Sequence, residues 1–308
     1  MSAFPIDRAF IIRHLTRMVQ IESINPGLVP GGAGEGALAA YIAETLRAIG
    51  VETIVETVEP GRDTVIGRLR GGGNGPSLML NAHTDTVGVG GMAEPFSGAV
   101  REGRLYGRGS FDMKGSIAAC LAMLDGMVRA DVRRAGDLLF TAVVDEEYGS
   151  KGMEALVRSY RTDAAIVTEP TGLRVCCAQR GFVWIAIETI GRAAHGSRYM
   201  DGIDANAMMG RVLVALDAYG RELLQRTGHP LLGPPSVHVP LIQGGTSQSV
   251  YAAHCRLEIE RRTVPGDSPT SVLAEVQAII DRLAAEDTQF RATVTRLFDR
   301  PPYEIDPA

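Results

Sequence analysis

The sequence predicts an α/β protein: a layered domain with a central mixed sheet, followed by a small α+β domain of β-α-β-β-α-β order, ferredoxin-like in type. Three observations lead there. Up to about residue 179, apolar runs of strand length alternate with stretches of helical periodicity. From Arg180 to about residue 300 the order changes to the split βαβ pattern of a four-stranded sheet with two helices. The chain has 308 residues, of which 45% are apolar, enough to fill a core in each of two domains.

Taken in order, helical periodicity covers residues 7–20 and 36–49, and the second stretch ends at Gly50, a residue suited to the left-handed conformation that closes helices. Strand-like runs follow at 51–58, 64–69 and 77–82. The glycine-rich Arg70–Pro76 segment between the last two is a plain connection, because no helix follows it to hold a phosphate. A helix at 113–129, a strand at 137–144, a helix at 152–160 and a strand at 164–168 complete the first domain, 1–179. The second domain, 180–300, reads as strand 182–190, helix 205–225, strands 237–242 and 250–262, helix 270–285 and strand 290–297. Its helices carry the stripes Met209, Val212, Leu213, Leu216 and Leu273, Val276, Ile279, Ile280, Leu283, which are core positions and not a cofactor box.

The net charge is −5 with a pI near 5.7, and no block of Lys or Arg could neutralise a phosphate backbone or an anionic membrane. Nucleic-acid and membrane partners are therefore not expected. Asp7, Arg8, Arg13 and His14 interrupt the N-terminal segment, so it lacks the apolar stretch of a signal peptide, and no apolar run reaches about 18 residues. A cytoplasmic location is expected. Cys120, Cys176, Cys177 and Cys255 fit neither a disulfide framework nor a CxxC knuckle and read as reduced core filler.

Four short motifs carry the chemistry: HTD at His83–Asp85, GRGSFDMKG at Gly107–Gly115, DEEYG at Asp145–Gly149 and TEP at Thr168–Pro170. Each follows or adjoins an apolar run, which puts candidate ligands where strands give way to loops. Hydrolysis of an unactivated amide needs a strong nucleophile and charge neutralisation at the carbonyl oxygen; two metal ions sharing a bridging carboxylate supply both, and histidine and carboxylates are their ligands. His83 and Asp85, two apart at a strand end, can point to one side, one as ligand and one orienting the imidazole. Gly107 and Gly109 would let the backbone bend closely beneath a metal before Asp112. The adjacent acids Glu146 and Glu147 can divide roles, one ligating and one moving protons, and Glu169 closes the strand at Ala164–Val167. Singly, each acid reads as a solvated or structural group; jointly they define a metal site.

The ordered set HTDTV, GRGSFDMKG, DEEYGSKG and TEP, with GRAAHGS further on, resembles the M20 metallopeptidase family, most of all its acetylornithine deacetylase and succinyl-diaminopimelate desuccinylase branch. The resemblance implies a catalytic domain into which the small domain is inserted as a lid and dimerisation module, giving a homodimer. It implies two divalent ions, zinc, with cobalt or manganese as alternatives. His83 and Glu169 would hold one ion, Glu147 the other, with Asp112 bridging and Asp85 supporting His83; Glu146 would be the general base, and the Asp112–Met113 peptide would be cis. His195 would stabilise the oxyanion in the partner subunit's site. Arg262 would grip the substrate carboxylate, and strand parity places it with Glu258 and Glu260, opposite Leu257 and Ile259, where a surface ion pair is its plain alternative. In GGTSQSVYAA, Ser249 and Ala252 stand where the family commonly has Asn and Pro, and Ser249 is the substrate-contact candidate. The implied reaction is cleavage of the amide bond of an N-acyl amino acid, with a dipeptidase or carboxypeptidase as the alternative. In the family the chain returns after the small domain to add sheet, helix and a last histidine ligand. RPPYEIDPA, residues 300–308, reads as the start of that return in an incomplete chain, the alternative being an inert relative lacking the second metal. None of His14, His229, His238 or His254 lies in a matching motif.

Overall fold

The computed structural model describes residues 4–305, and its contacts divide the chain into two compact units between Leu173 and Arg174. The first opens with α1 (Arg8–Gln20), started by the Asp7 carboxylate, which accepts from the Ala9 N–H at 2.8 Å. Then come α2 (Gly36–Ala48), β1 (Glu52–Glu59), β2 (Arg62–Leu69), β3 (Leu78–His83), β4 (Ala99–Arg101), β5 (Arg104–Tyr106), α3 (Lys114–Arg129), β6 (Leu138–Val143), α4 (Lys151–Ser159) and β7 (Ala164–Val167). Gly50, just after α2, takes the expected left-handed conformation at φ 82°.

The central sheet has the order β1-β2-β6-β3-β7 and is mixed: β1 and β2, and β2 and β6, pair antiparallel, whereas β3 runs parallel to both β6 and β7. LLFTAV in β6 is buried at every position, because neighbours cover both faces of a central strand. Its Phe140 packs with Met18, Leu38, Ile42, Leu46, Ile117 and Leu121 in the main core. Because β6, β3 and β7 are parallel neighbours, their carboxyl ends lie on one edge of the sheet, the edge where ligands bind in folds of this type.

The β4/β5 hairpin is not among the expected elements. Its strands have three residues each, too short to show a period, yet its turn is recognisable: Glu102 and Gly103 have φ of 51° and 76°, the two positive values of a hairpin turn matched to strand twist.

The second unit holds β8 (Ala178–Gln179), β9 (Gly181–Ile190), α5 (Ala205–Gln225), β10 (Ser236–Gly244), β11 (His254–Thr263), α6 (Pro269–Glu286), β12 (Ala292–Arg300) and β13 (Tyr303–Glu304). The sheet order β10-β11-β9-β12, antiparallel throughout, is that of a ferredoxin-like domain. Met209, Val212 and Leu216 of α5 and Val276, Ile280 and Leu283 of α6 meet Val183, Ile185 and Leu257 in its core.

Three expectations change. The strand expected from Val250 starts only at His254. The preceding backbone is engaged elsewhere: Tyr251 N–H donates to the Ala194 carbonyl at 2.9 Å, and the Ala252 and Ala253 carbonyls each accept at 2.8 Å, from Ala205 and Gly191. Tyr303 and Glu304 pair with Gln179 and Ala178, so both short strands belong to the second unit and the division falls ahead of residue 179. Cys120 and Cys255 are buried as expected of core filler, but Cys176 and Cys177 are exposed, in a segment without regular structure. No helix among the described residues is long and apolar enough to cross a membrane.

Candidate metal centre

Three strand ends and one helix start build the centre, all within the first unit. His83 is the last residue of β3, Glu146 and Glu147 lie in the turn after β6, Glu169 stands two residues beyond β7, and Asp112 precedes α3. The parallel register explains the convergence, since His83 pairs with Val143 and Asn81 with Val167, and the strands therefore end almost level. His83, Asp112 and Glu169 each present a ligand atom, and these atoms lie within 4.8 Å of one another.

The imidazole of His83 is 2% exposed and has one nitrogen committed. Nδ1 lies 2.9 Å from the backbone carbonyl of Asp85, an acceptor only, so Nδ1 carries the proton there. Nε2 faces the acids: Asp112 Oδ1 at 3.1 Å, Glu169 Oε1 at 3.6 Å and Glu146 Oε2 at 4.0 Å. The Asp85 carboxylate does less for the imidazole than the sequence suggests, standing 3.5 Å from Nδ1. Its stronger work is on the acidic turn, where it accepts the backbone N–H groups of Glu146 and Glu147, each at 3.0 Å. Met113 packs beneath, its sulfur 3.1 Å from the His83 N–H, and the Asp112–Met113 peptide is cis.

Gly107 and Gly109 do bend the approach to Asp112, with φ of 146° and 78°, but the space they save belongs to protein. A Cβ at Gly107 would lie 2.3 Å from Val19 and 2.9 Å from the Pro95 carbonyl; one at Gly109 would meet Thr86 at 2.7 Å. Beside them Lys114, 1% exposed, donates to the carbonyls of Met18 and Ile21, and burial lowers its amine to about 8.

The electrostatics call for a cation. Among the described residues, the cationic group that Asp112, Glu146 and Glu169 meet within 4.0 Å is His83. Burial opposes charge on His83, but the Asp112 and Asp85 carboxylates outweigh it and raise the imidazole to about 11. Asp112 is held below the usual carboxylate range, first by His83. Burial raises Glu146, and burial with neighbouring acids raises Glu147 and Glu169 to about 7. An imidazole nitrogen turned toward acids that cannot all stay charged is a donor set that fits a divalent ion. His83, Asp112 and Glu169 would hold it; Glu147 stands outside their group.

In the second unit, His195 is exposed, with Nδ1 2.9 Å from Ser197 Oγ. Its loop is joined to that of Ser249, whose carbonyl accepts the Gly196 N–H at 2.8 Å. Arg262 lies on the Glu260 side of β11, 3.6 Å from that carboxylate and with its guanidinium 5.9 Å from the centre of the Phe182 ring. His195 follows the Ile190 end of β9, which pairs with His254, while Arg262 pairs with Phe182. The step from 254 to 262 is eight residues, about 26 Å along a strand. Arg261, its neighbour, is fully buried instead, with Nε 3.1 Å from the Tyr219 hydroxyl.

Sequence reasoning missed the residues behind the acidic turn. Asp145, with φ 65° and no exposure, is reached by Asn25, Glu35 and Arg62, all buried. Asp145 opens the DEEYG motif, but nothing in the spacing of the other three points to it.

An α/β unit that gathers an imidazole and several carboxylates at the carboxyl ends of parallel strands offers the donor set and the placement that a hydrolytic metal centre needs. The comparisons carry this further: residues 79–307 match the Peptidase family M20/M25/M40, and the chain belongs to that family. It is 28% identical, over 85% of its own length and 66% of the relative's, to the N-formyl-4-amino-5-aminomethyl-2-methylpyrimidine deformylase of Bacillus subtilis. It is 30% identical, over 80% of its length and 63% of the relative's, to an acetylornithine deacetylase of Photorhabdus laumondii. The chain thus spans slightly under two thirds of these relatives. Similar solved structures include an M20 family metallo-carboxypeptidase from Sulfolobus solfataricus, with TM-score 0.75, 17% identity and coverage of 96% of this chain and 79% of that one. Human carnosine dipeptidase 1 gives TM-score 0.75 and 17% identity, covering 96% and 78%. At such identity these two establish the fold alone.

Proposed function

We propose that this protein is a metal-dependent amidohydrolase acting on N-acyl amino acids, with His83, Asp112, Glu147 and Glu169 as ligands of two divalent ions, zinc first among them. The observation that carries the reading is the set of ligand atoms within 4.8 Å on His83, Asp112 and Glu169, with Glu146 beside it. Two deacylating relatives, the deformylase and the deacetylase, support amide cleavage in a small molecule. The carboxypeptidase and dipeptidase of the same fold keep peptide cleavage as the second reading.

Bound ions would neutralise charge at the scissile carbonyl and acidify the attacking water. This chain's residues do the rest. Glu146, with 45% of its side chain exposed, can reach a water, and partial burial holds its carboxyl above the usual range, suiting it to take a proton from that water and return it to the leaving nitrogen. Asp85 steadies the backbone on which Glu146 turns. His195 is assigned to the oxyanion and Arg262 to the substrate carboxylate, with Ser249 next to the His195 loop. His195 lies past the His254 end of β11, bridged to Val250, and Arg262 stands about 26 Å along the strand from His254, so the two residues of one copy cannot both touch one acyl amino acid. That separation supports a homodimer through the second unit, in which the partner supplies the histidine.

The test is metal content together with turnover. Purified chain supplied with zinc should retain metal, and Glu146→Gln should retain the same metal while losing 10²- to 10⁴-fold in the rate of N-acyl amino acid hydrolysis. Dipeptides cleaved faster than acyl amino acids would transfer the reading to the peptidase alternative; metal retention unaffected by His83→Ala would end both.

A further inference from the structure

Behind the acidic turn lies a chain of buried polar groups that meets the ligand cluster only through Asp85. Asn25, Glu35 and Asp145 have no exposure, Asp85 has 1% and Arg62 has 7%. Arg62 forks onto Glu35, Nε to Oε2 at 2.8 Å and Nη2 to Oε1 at 2.5 Å, and Nη2 also reaches Asp145 Oδ1 at 2.9 Å. Glu35 Oε1 accepts the backbone N–H of Asp145 at 3.2 Å. The residue that starts the turn is thus held by backbone and side chain at once.

Asn25 links this cluster to the histidine side of the site. Its Nδ2 donates to Asp145 Oδ1 at 3.0 Å and to Asp85 Oδ2 at 2.7 Å, while its Oδ1 accepts the Gly27 N–H at 2.8 Å. The orientation is chemically fixed, since two carboxylates can only accept and a backbone N–H can only donate. One amide nitrogen therefore spends both hydrogens on two buried carboxylates that would otherwise repel each other. Asp85, so held, grips Glu146 and Glu147 by their N–H groups and meets His83.

We propose that Asn25, Glu35 and Arg62 are positioning residues of the metal centre, acting through Asp85 and Asp145 to fix where the Glu146–Glu147 turn stands relative to His83. The proposal rests on the metal reading above. Second-layer partners of this sort typically change metal affinity or activity ten- to a hundredfold when removed. Their effect differs from that of an ordinary buried residue because it should appear in the geometry around the ion as well as in stability.

The test is cobalt(II) binding to the 308-residue chain, followed by visible absorption, in wild type, Arg62→Lys, Asn25→Ser and Leu124→Ala. Arg62→Lys keeps the charge and loses the fork, so Glu35 and Asp145 keep a cation between them. Leu124 is buried in α3, away from the network, and its variant serves as a purely destabilising control. The expected result is a ten- to hundredfold weaker cobalt affinity and shifted absorption bands in Arg62→Lys and Asn25→Ser, with wild-type bands in Leu124→Ala despite its lower melting temperature. Wild-type bands and affinity in a folded Arg62→Lys would overturn the proposal. So would losses that simply follow melting temperature across all three variants. Failure of wild type to bind cobalt, or binding unchanged by His83→Ala, would instead remove the metal reading, and the positioning role with it.

Discussion

At the scale of single residues, the centre is governed by how one imidazole shares its two nitrogens. Nδ1 is spent on the carbonyl of Asp85, two residues away, so the chain beside His83 presets the tautomer that offers Nε2 outward. The Asp85 carboxylate accepts three hydrogen bonds, from Asn25 and from the N–H groups of Glu146 and Glu147. Asp85→Asn turns at least one acceptor into a donor facing these donors, and zinc affinity measured by competition with a chelator should fall ten- to a hundredfold. Protons report on the same charges. His83 at about 11 and Glu147 and Glu169 at about 7 keep protons that an entering cation must displace. Zinc added to metal-free protein in weak buffer at pH 7 should therefore release protons, and affinity should rise from pH 6 to pH 8. The sign for stability follows. The raised groups favour the metal-free fold fully only below their unfolded values, near 4.5 for the glutamates and 6.5 for the histidine, and that contribution is lost as pH rises through 7 and on toward 11. Asp112, held low, acts oppositely, its contribution being lost as pH falls. Thermal melts of metal-free protein should show the upper loss, and zinc should flatten it. The candidate ligands can be picked out in the sequence because HTD, DEE and TEP stand at strand ends. Asn25, Glu35 and Arg62 cannot, since a partner distant in the chain shows no period or spacing.

Among elements, the ones read from periodicity were found within a few residues of their expected ends, and the exceptions share a cause. The β4/β5 strands are too short to carry a pattern, and the apolar VYAA before β11 looks like strand although its backbone hydrogen bonds go to Ala194, Gly191 and Ala205. Apolar alternation reports burial, whereas membership in a ladder depends on which backbone is opposite. Helix starts were more legible. The Asp204 carboxylate accepts from Asn206 at 2.9 Å and from Ala207 at 3.3 Å at the head of α5. Asp204→Ala should cost about 1 kcal/mol in urea unfolding, with no change in metal content. Gly109→Ala should do more harm for its size. Both the positive φ and the 2.7 Å approach to Thr86 oppose it, and a loss of roughly 1–3 kcal/mol with weakened metal retention is expected.

For the whole molecule, the division of labour between two units sets the test of assembly. The first unit carries His83, Asp112, Glu146, Glu147 and Glu169 of the candidate centre, while His195, Ser249 and Arg262 belong to the second. If His195 serves the partner's centre, chains carrying His195→Ala mixed with chains carrying Glu146→Ala should form heterodimers in which one site is intact. Partial recovery of turnover is expected, and verified heterodimers without it would show that each copy uses its own histidine. The sequence order announced both units, because a change from alternating α/β to split βαβ is visible in the pattern alone. The level ends of β6, β3 and β7 have a further consequence, in folding kinetics. The candidate ligands at 83, ending β3, at 169, beyond β7, and at 112, ahead of α3, are brought together only after β7 has docked beside β3, closing loops of 29 and 57 residues. A partly folded chain offers an ion no more than His83 with its near neighbours. Metal should therefore act as a latch and not as a template. In stopped-flow experiments with and without zinc, the refolding arm should remain nearly in place while the unfolding arm moves to slower rates.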